Sequence, residues 1–201
     1  MPDRYFAAAA QRNASPILAV LRREFAERNS VIEIGSGTGQ HAVAFASEMT
    51  HLEWQPSDVA ENCPGIRAWL KDSGIRNVLP PLELDVRYDD AGHNQFDAAF
   101  SANTAHIMDK DAVRRMFAVT GKALVSGGSF CLYGPFRIGA RFNAPSNAAF
   151  DASLRQQSPA MGIRDLETLE AFALSAGMRR ERLYAMPSNN YVVLWRAGEG
   201  A

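Results

Sequence analysis

The chain has 201 residues, 47% of them apolar and 21% charged, with a formal net charge of −1. That length suits a single domain, residues 1–201, with an α/β core that needs no disulfide or metal staple. The balanced charge gives no electrostatic basis for nucleic acid or an anionic membrane as a partner.

The opening "MPDRYFAAAAQRN" lacks the apolar run of a secretory signal, and no stretch approaches the roughly 20 apolar residues of a membrane span. Cys63 and Cys131 lack metal-ligand spacing and read as free thiols, small buried hydrophobes in a reducing, cytoplasmic setting. A helix is expected after Ser15-Pro16, through "ILAVLRREFAER". "SVIEIG" is then a buried strand and "HAVAFASEM" its helix. "LEWQPSD" is the second strand, "GIRAWLKDSG" the next helix, and "VLPPLELDV" a third strand. "FDAAFSAN" is a fourth strand too apolar for a solvent-exposed face. "DAVRRMFAVTGKALVSGG" reads as a helix closing on its glycines, and "SFCLYGPF" as the fifth strand.

Past Gly134 the rhythm changes. Residues 135–164 are too long for a simple connector and read as a substrate-side insertion, expected to lid the site, with a short helix near "AAFDASLRQQ". "DLETLEAFALSAG" is an amphipathic helix from Asp165 to Gly177. "RRERLYAMPSNNYVVLWRA" gives two strands joined by a tight turn at "PSNN".

The stretch "VIEIGSGTGQH" carries the chemistry. Glycines let the chain reverse sharply and let a ligand approach backbone N–H groups, with a helix N-terminus pointed at it. The bland alternative is turn chemistry alone. The dinucleotide fingerprint needs a small residue where Gln40 stands. Glu33 followed by Gly35, Gly37 and Gly39 resembles instead motif I of class I S-adenosylmethionine-dependent methyltransferases. Asp58 closes the second strand 19 residues after Gly39, where a carboxylate can accept both ribose hydroxyls. The resemblance implies a Rossmann-like, seven-stranded, mostly parallel sheet with helices on both faces. It also implies an antiparallel seventh strand beside the sixth, which the terminal hairpin can supply. Under it Asp85 and Val86 sit where an acid accepts the adenine amine, although Asp85 can equally be a helix cap.

More narrowly, the chain resembles the methyltransferase-like family catalogued as domain of unknown function 938. The collinear words "AAAQRNASPIL", "EIGSGTGQHAV", "EWQPSD", "NVLPPLELDV", "ANTAHI", "YGPF", "PSNAAFDASLR", "GIRDLETLE" and "MPSNNYVVLWR" cover roughly residues 7–196. The resemblance implies the fold and S-adenosylmethionine binding, with S-adenosylhomocysteine as product, and leaves the acceptor open. Three positions depart from the family pattern: Gly35 for Ala, Thr104 for Met, and Met161 for Trp.

Methyl transfer is an in-line displacement that needs a positioned nucleophile and, for some acceptors, a base. His106, just past the fourth strand, is either that base or a structural histidine bonded to a loop carbonyl. Tyr133 either orients an acceptor or is buried with its hydroxyl satisfied. Asn103 either contacts the cofactor's amino-acid moiety or holds its loop. Arg12 and Asn13 either close over the methionine carboxylate or form an exposed helix entry. Arg137, Asn147, Arg155, Arg164 and Asn190 are candidate acceptor contacts. An Arg–Asp pair pinning the insertion competes for Arg155, Arg164 and Asp165, and a hairpin turn competes for Asn189 and Asn190. His41 has no partners at ligand spacing, so no metal site is expected.

The expected function is methyl transfer to an oxygen or nitrogen of a small-molecule acceptor. A non-catalytic S-adenosylmethionine-binding sensor or scaffold is the alternative. A nicotinamide-dependent oxidoreductase is disfavoured by Gln40 and the terminal hairpin.

Overall fold

The computed structural model describes residues 6–198; the first five residues of the opening stretch lie outside them. The described chain runs α1 (Ala8–Glu24), β1 (Ser30–Ile34), α2 (Gln40–Glu48), β2 (Glu53–Asp58), α3 (Cys63–Ser73), β3 (Leu82–Glu83), β4 (Phe96–Ala102) and α4 (Lys110–Ala123). It continues through β5 (Leu124–Gly134), β6 (Phe136–Arg137), α5 (Pro145–Gln157), β7 (Arg164–Asp165), α6 (Leu166–Ser175), β8 (Met178–Met186) and β9 (Asn190–Ala197). Seven strands form one sheet in the order β3-β2-β1-β4-β5-β9-β8. β9 is antiparallel to both neighbours, and the remaining pairs are parallel. This is the α/β, Rossmann-like sheet that the motifs implied, with the antiparallel strand inserted beside the last edge.

Alternation along the central strands builds two cores. Val31, Ala98, Phe100, Cys131, Val192 and Leu194 face α1 and α2, against Ile17, Leu21, Phe45 and Trp54. Their neighbours Ile32, Ala99, Phe130, Leu132, Val193 and Trp195 face α4 and α6, against Met116, Phe117, Leu169 and Ala173. Both strand faces are therefore apolar, which is why these segments read as continuous hydrophobic runs.

The boundaries depart from expectation in three places. α1 begins at Ala8, two turns before the expected start, and Pro16 lies inside it. The alanine run is the best helix former available, and a single proline removes only one intrahelical bond. The buried stripe Asn13, Ile17 and Leu21 then recurs every four residues against the sheet. The third strand shrinks to Leu82–Glu83, because Pro80 and Pro81 have no N–H for a ladder and Asp85 opens a turn that takes the amides of Tyr88 and Asp89. α4 stops at Ala123, and Gly127 and Gly128 lie within β5. The β4–β5 register slips between Phe96 and Ala98, and Gly127, at φ +73°, takes up the irregularity.

The insertion is pinned at its two ends: β6 pairs β7 in a separate two-stranded parallel sheet. No helix among the described residues is long and apolar enough to cross a membrane.

One charge sits badly in this core. Glu33 on β1 is buried, and its carboxyl accepts the Trp54 indole N–H at 3.0 Å. Burial, aided by the nearby Asp58 charge, raises its pKa to about 7, against the opposing hydrogen bonds from Trp54 and Ser36. Folded Glu33 stays protonated while the unfolded carboxyl ionises from its ordinary 4.5 upward, so its contribution to stability falls as pH rises from 4.5 to about 7. The loss is on the order of 3 kcal/mol. Glu33→Gln, a neutral isostere, should therefore gain stability relative to the native chain between about pH 5 and about pH 8 in urea unfolding. A difference between the two proteins that stays constant with pH would mean that Glu33 is ionised in the fold.

Candidate active site

β1 has β2 on one side and β4 on the other, so the crevice beyond its carboxyl end is the topological switch point, where ligands enter such sheets. The glycine loop occupies it. Gly35, Gly37 and Gly39 have φ of +71°, +58° and +83°, a region that side-chain-bearing residues adopt only at a cost. Two of them also need the space. A Cβ on Gly35 would lie 2.5 Å from Thr104 Cγ2, and one on Gly39 would lie 3.1 Å from Ile66 Cγ2. A Cβ on Gly37 would meet nothing within 4 Å, so there the glycine serves the turn and leaves its face open.

Asp58, at the end of β2 and 8% exposed, ties this loop down. Its Oδ2 accepts the Gly37 N–H at 2.6 Å, and its Oδ1 accepts the Val59 N–H at 2.8 Å and the Asn62 side-chain amide at 2.9 Å. A carboxylate offers about four lone-pair sites, so Oδ2 keeps room for one further donor. Gly35, Asp58, Asp85 and Val86 line one cavity of about 390 Å³, together with Leu84, Ile107 and Met161. Asp85 already accepts from the Arg87 backbone N–H and guanidinium, which holds its carboxyl below the usual range. Glu33 and Gly39 line neither this cavity nor the one described next. Gly37 borders a separate recess beside Thr38, Asn62 and Trp69.

A larger cavity of about 510 Å³ lies between α1, the β4–α4 loop, the insertion and the β8–β9 turn. It gathers Arg12, Asn13, Asn103, His106, Tyr133, Asn147 and Asn190. Much of this polarity is already spent. His41 Nε2 lies 2.8 Å from Asn13 Oδ1 and 3.2 Å from the Ala10 carbonyl; both are acceptors, so the ring donates from Nε2. Burial lowers its pKa to about 4 and keeps it neutral. Tyr133 is hydrogen-bonded by Asn13 and Asn190. With Asn13 Oδ1 taken by His41, its amide N–H₂ points to the phenol oxygen. The Asn190 amide nitrogen also donates to the Pro187 and Ser188 carbonyls at 3.3 Å. Both asparagine contacts favour the ionised phenol, but burial, the larger effect, raises its pKa. Asn147 donates to Asn143 and to the Asn189 carbonyl.

Four side chains stand outside this network. Arg12, Asn103, His106 and Ser188 make no side-chain hydrogen bond or ion pair among the described residues. His106 is 7% exposed, with its ring edge-on to Phe150 at 5.3 Å. Burial first, and the Arg164 charge second, lower its pKa to about 4. Asn103 holds φ +61° while its N–H donates to the Tyr133 carbonyl at 2.9 Å. Ser188 on the opposite rim has φ +58°. Such strained non-glycine residues concentrate at ligand sites.

The remaining arginines serve the scaffold. Arg137 pairs with Asp165 at 2.6 Å and Arg155 with Asp151 at 2.8 Å. Arg164 donates to the carbonyls of Ala105, Met108 and Ala160. None of the three lines either cavity. Sequence reasoning missed Asn62, which shares Asp58, and Asp151, whose carboxylate accepts the Ile163 N–H at 2.7 Å. Asn62 lies four residues from Asp58 and Asp151 four residues from Arg155, so both pairs are local, and only the Asp151–Ile163 bond is set by tertiary contact.

The model of the family described as protein of unknown function (DUF938) matches residues 4–197, and the chain belongs to that family. Among solved structures, the mitomycin 7-O-methyltransferase MmcR superposes with a TM-score of 0.82 at 16% identity, over 95% of this chain and 55% of that one. The S-adenosylmethionine-dependent methyltransferase SibL, in its apo form, gives 0.81 at 20% identity, over 95% and 56%. Human N-acetylserotonin methyltransferase in complex with SAM gives 0.77 at 14% identity, over 94% and 53%. The chain thus spans about half the length of these proteins, and the likeness is one of fold.

The contact between Gly35 and Thr104 is testable. Gly35→Ala should cost about 2–3 kcal/mol, from the left-handed backbone and the Thr104 methyl. In a Thr104→Ser background, which keeps the hydroxyl but removes Cγ2, the cost should fall by about 1 kcal/mol. Strict additivity in denaturant melts would mean that the methyl imposes no steric limit.

Proposed function

We propose that this member of the DUF938 family is an S-adenosylmethionine-dependent methyltransferase acting on an oxygen or nitrogen of a small-molecule acceptor. The observation that carries the reading is the loop of three left-handed glycines at the switch point, fastened to the β2 carboxylate. The residues present fit such a cofactor. The smaller cavity, at about 390 Å³, falls within the range of small-molecule sites. Asp58 keeps acceptor capacity for a ribose hydroxyl, and Leu84, Val86 and Ile107 offer apolar walls to a flat base. Fold neighbours named as O-methyltransferases lend support to oxygen as the acceptor atom.

When bound, the cofactor supplies an electrophilic methyl group on a cationic sulfur. The chain must then exclude water, align the acceptor and handle its proton. The β4–α4 loop separates the two cavities, with Asn103 and His106 on one side and Ile107 and Met108 on the other. A neutral His106 Nδ1 or Nε2 can accept the proton of an acceptor hydroxyl or amine. Tyr133 is poorly suited to accept it, because burial raises its pKa and keeps the phenol protonated.

Calorimetry with S-adenosylmethionine and S-adenosylhomocysteine should show dissociation constants of about micromolar order. NADH should not bind, and Asp58→Asn should weaken both sulfur nucleosides at least about tenfold. Binding of NADH alone, or of no nucleoside, would remove the reading. If His106 is the base, transfer should rise with pH through about 4 and stay flat through neutrality. His106→Ala should slow turnover about 10²-fold or more, without changing affinity for S-adenosylhomocysteine. An acid limb near pH 6.5 that persists in the variant would assign the proton to another group.

A further inference from the structure

The larger cavity carries information about what it accepts. Its charge inventory is one-sided: Arg12 is the only formally charged side chain lining it, and no carboxylate faces it among the described residues. His106 in the same wall is uncharged at neutral pH. Arg12 projects from α1 on an exposed part of the helix without a protein partner among the described residues, so its positive charge is available to a ligand.

Hydrogen-bond accounting narrows the ligand further. Asn13, Asn147 and Asn190 are each already engaged, with His41 or with backbone carbonyls, and Tyr133 lies in contact with Asn13 and Asn190. What remains for a ligand is a guanidinium, a carboxamide, a neutral imidazole and a hydroxyl, from Arg12, Asn103, His106 and Ser188. A guanidinium fork matches a carboxylate in plane and charge. A neutral imidazole without a protein partner matches a protic hydroxyl, donating its one N–H or accepting the hydroxyl's own proton. The same cavity is walled by rigid apolar surfaces, Phe150 with Pro16, Pro135 and Pro187, suited to a compact, flat, apolar body.

We propose that the acceptor is a small hydroxy-carboxylate, with its carboxylate on Arg12, its apolar body against Phe150 and its hydroxyl at His106. The hydroxyl oxygen is then the atom methylated: it forms the new C–O bond as the methyl–sulfur bond breaks, its proton passes to His106, and the sulfur leaves as the neutral thioether. This assignment rests on the methyltransferase reading for its chemistry but not for its binding step, which can be measured without cofactor.

The test uses para-hydroxybenzoate and its neutral isostere para-hydroxybenzamide as probes, titrated into the full chain by ligand-observed NMR and calorimetry. S-adenosylhomocysteine and methylthioadenosine, which lacks the amino-acid tail, are titrated in parallel. The acid should saturate below about 10 mM and bind at least about tenfold more tightly than the amide. Arg12→Gln should erase that preference, and Arg12→Lys should keep part of it, while both nucleosides bind Arg12→Gln within about twofold of the native chain.

Equal binding of acid and amide, or no saturation by the acid, overturns the proposal. Weakening of S-adenosylhomocysteine but not methylthioadenosine by Arg12→Gln also overturns it, and assigns Arg12 to the cofactor's carboxylate. If neither nucleoside binds the native chain but the acid does, the methyltransferase reading fails and the carboxylate site stands.

Discussion

The chain must reverse direction after Ile34 within five residues, in space bounded by Thr104 on one side and Ile66 on the other. Everything at the sheet's carboxyl edge depends on that reversal. It sets where α2 starts, since Gly39 is its N-cap, and it places the Gly37 amide on Asp58. The loop is also buttressed from below: Ser57 Oγ donates to the Glu33 carbonyl, and Ser101 Oγ donates to the Ile34 carbonyl. β1 is thereby gripped at its last two carbonyls by hydroxyls from both neighbouring strands. A turn held this way costs little reorganisation when a ligand arrives, the condition for tight binding with few contacts.

The insertion belongs to the same mechanical unit. Gly162 donates its N–H to the His106 carbonyl at 2.9 Å, and Arg164 collects three carbonyls from the β4–α4 loop and the insertion. A side chain at Gly162, which has φ +144°, would have to displace the Arg155 guanidinium and the Asp151 carboxylate, 2.6 Å and 2.8 Å from its Cβ. The segment whose sequence suggests a lid is therefore stitched at its C-terminal leg to the loop that presents His106. At its other end, Asn143 and Asn147 fasten α5 to the Asn189 carbonyl. Arg155 and Arg164, candidate substrate contacts by residue type, make their contacts within the C-terminal leg and the β4–α4 loop, and Arg137 pairs with Asp165.

What the sequence makes legible follows from how local each constraint is. Strand alternation, the glycine loop and the acid closing β2 are local patterns, and the sheet follows them. The start of α1 is hidden because Ser15-Pro16 mimics a helix entry, whereas the alanine run and the buried Asn13–Ile17–Leu21 stripe outweigh it. The end of α4 is hidden because two glycines resemble a helix stop, yet pairing with β4 draws them into β5. The fates of Tyr133 and Arg164 depend on tertiary partners that no spacing rule supplies, whereas the Asp151–Arg155 pair follows i, i+4 helix spacing.

The electrostatic layout ties the two cavities together. Asp58, Asp85 and Asp109 put carboxylates in the smaller one, where Arg87 offsets Asp85, and Arg12 puts a cation in the larger. On the proposed reading, the donor sulfur is cationic and the acceptor is anionic, so each side of the β4–α4 loop carries the charge that complements its ligand. His106 stands on the dividing loop between them. A protonated imidazole there would repel a cationic sulfonium and add to the Arg164 charge nearby, and burial opposes that protonated form. The low pKa that makes His106 a weak base also keeps it continuously in its proton-accepting form. That form suits a reaction whose driving force lies in the departing sulfur rather than in the strength of the base.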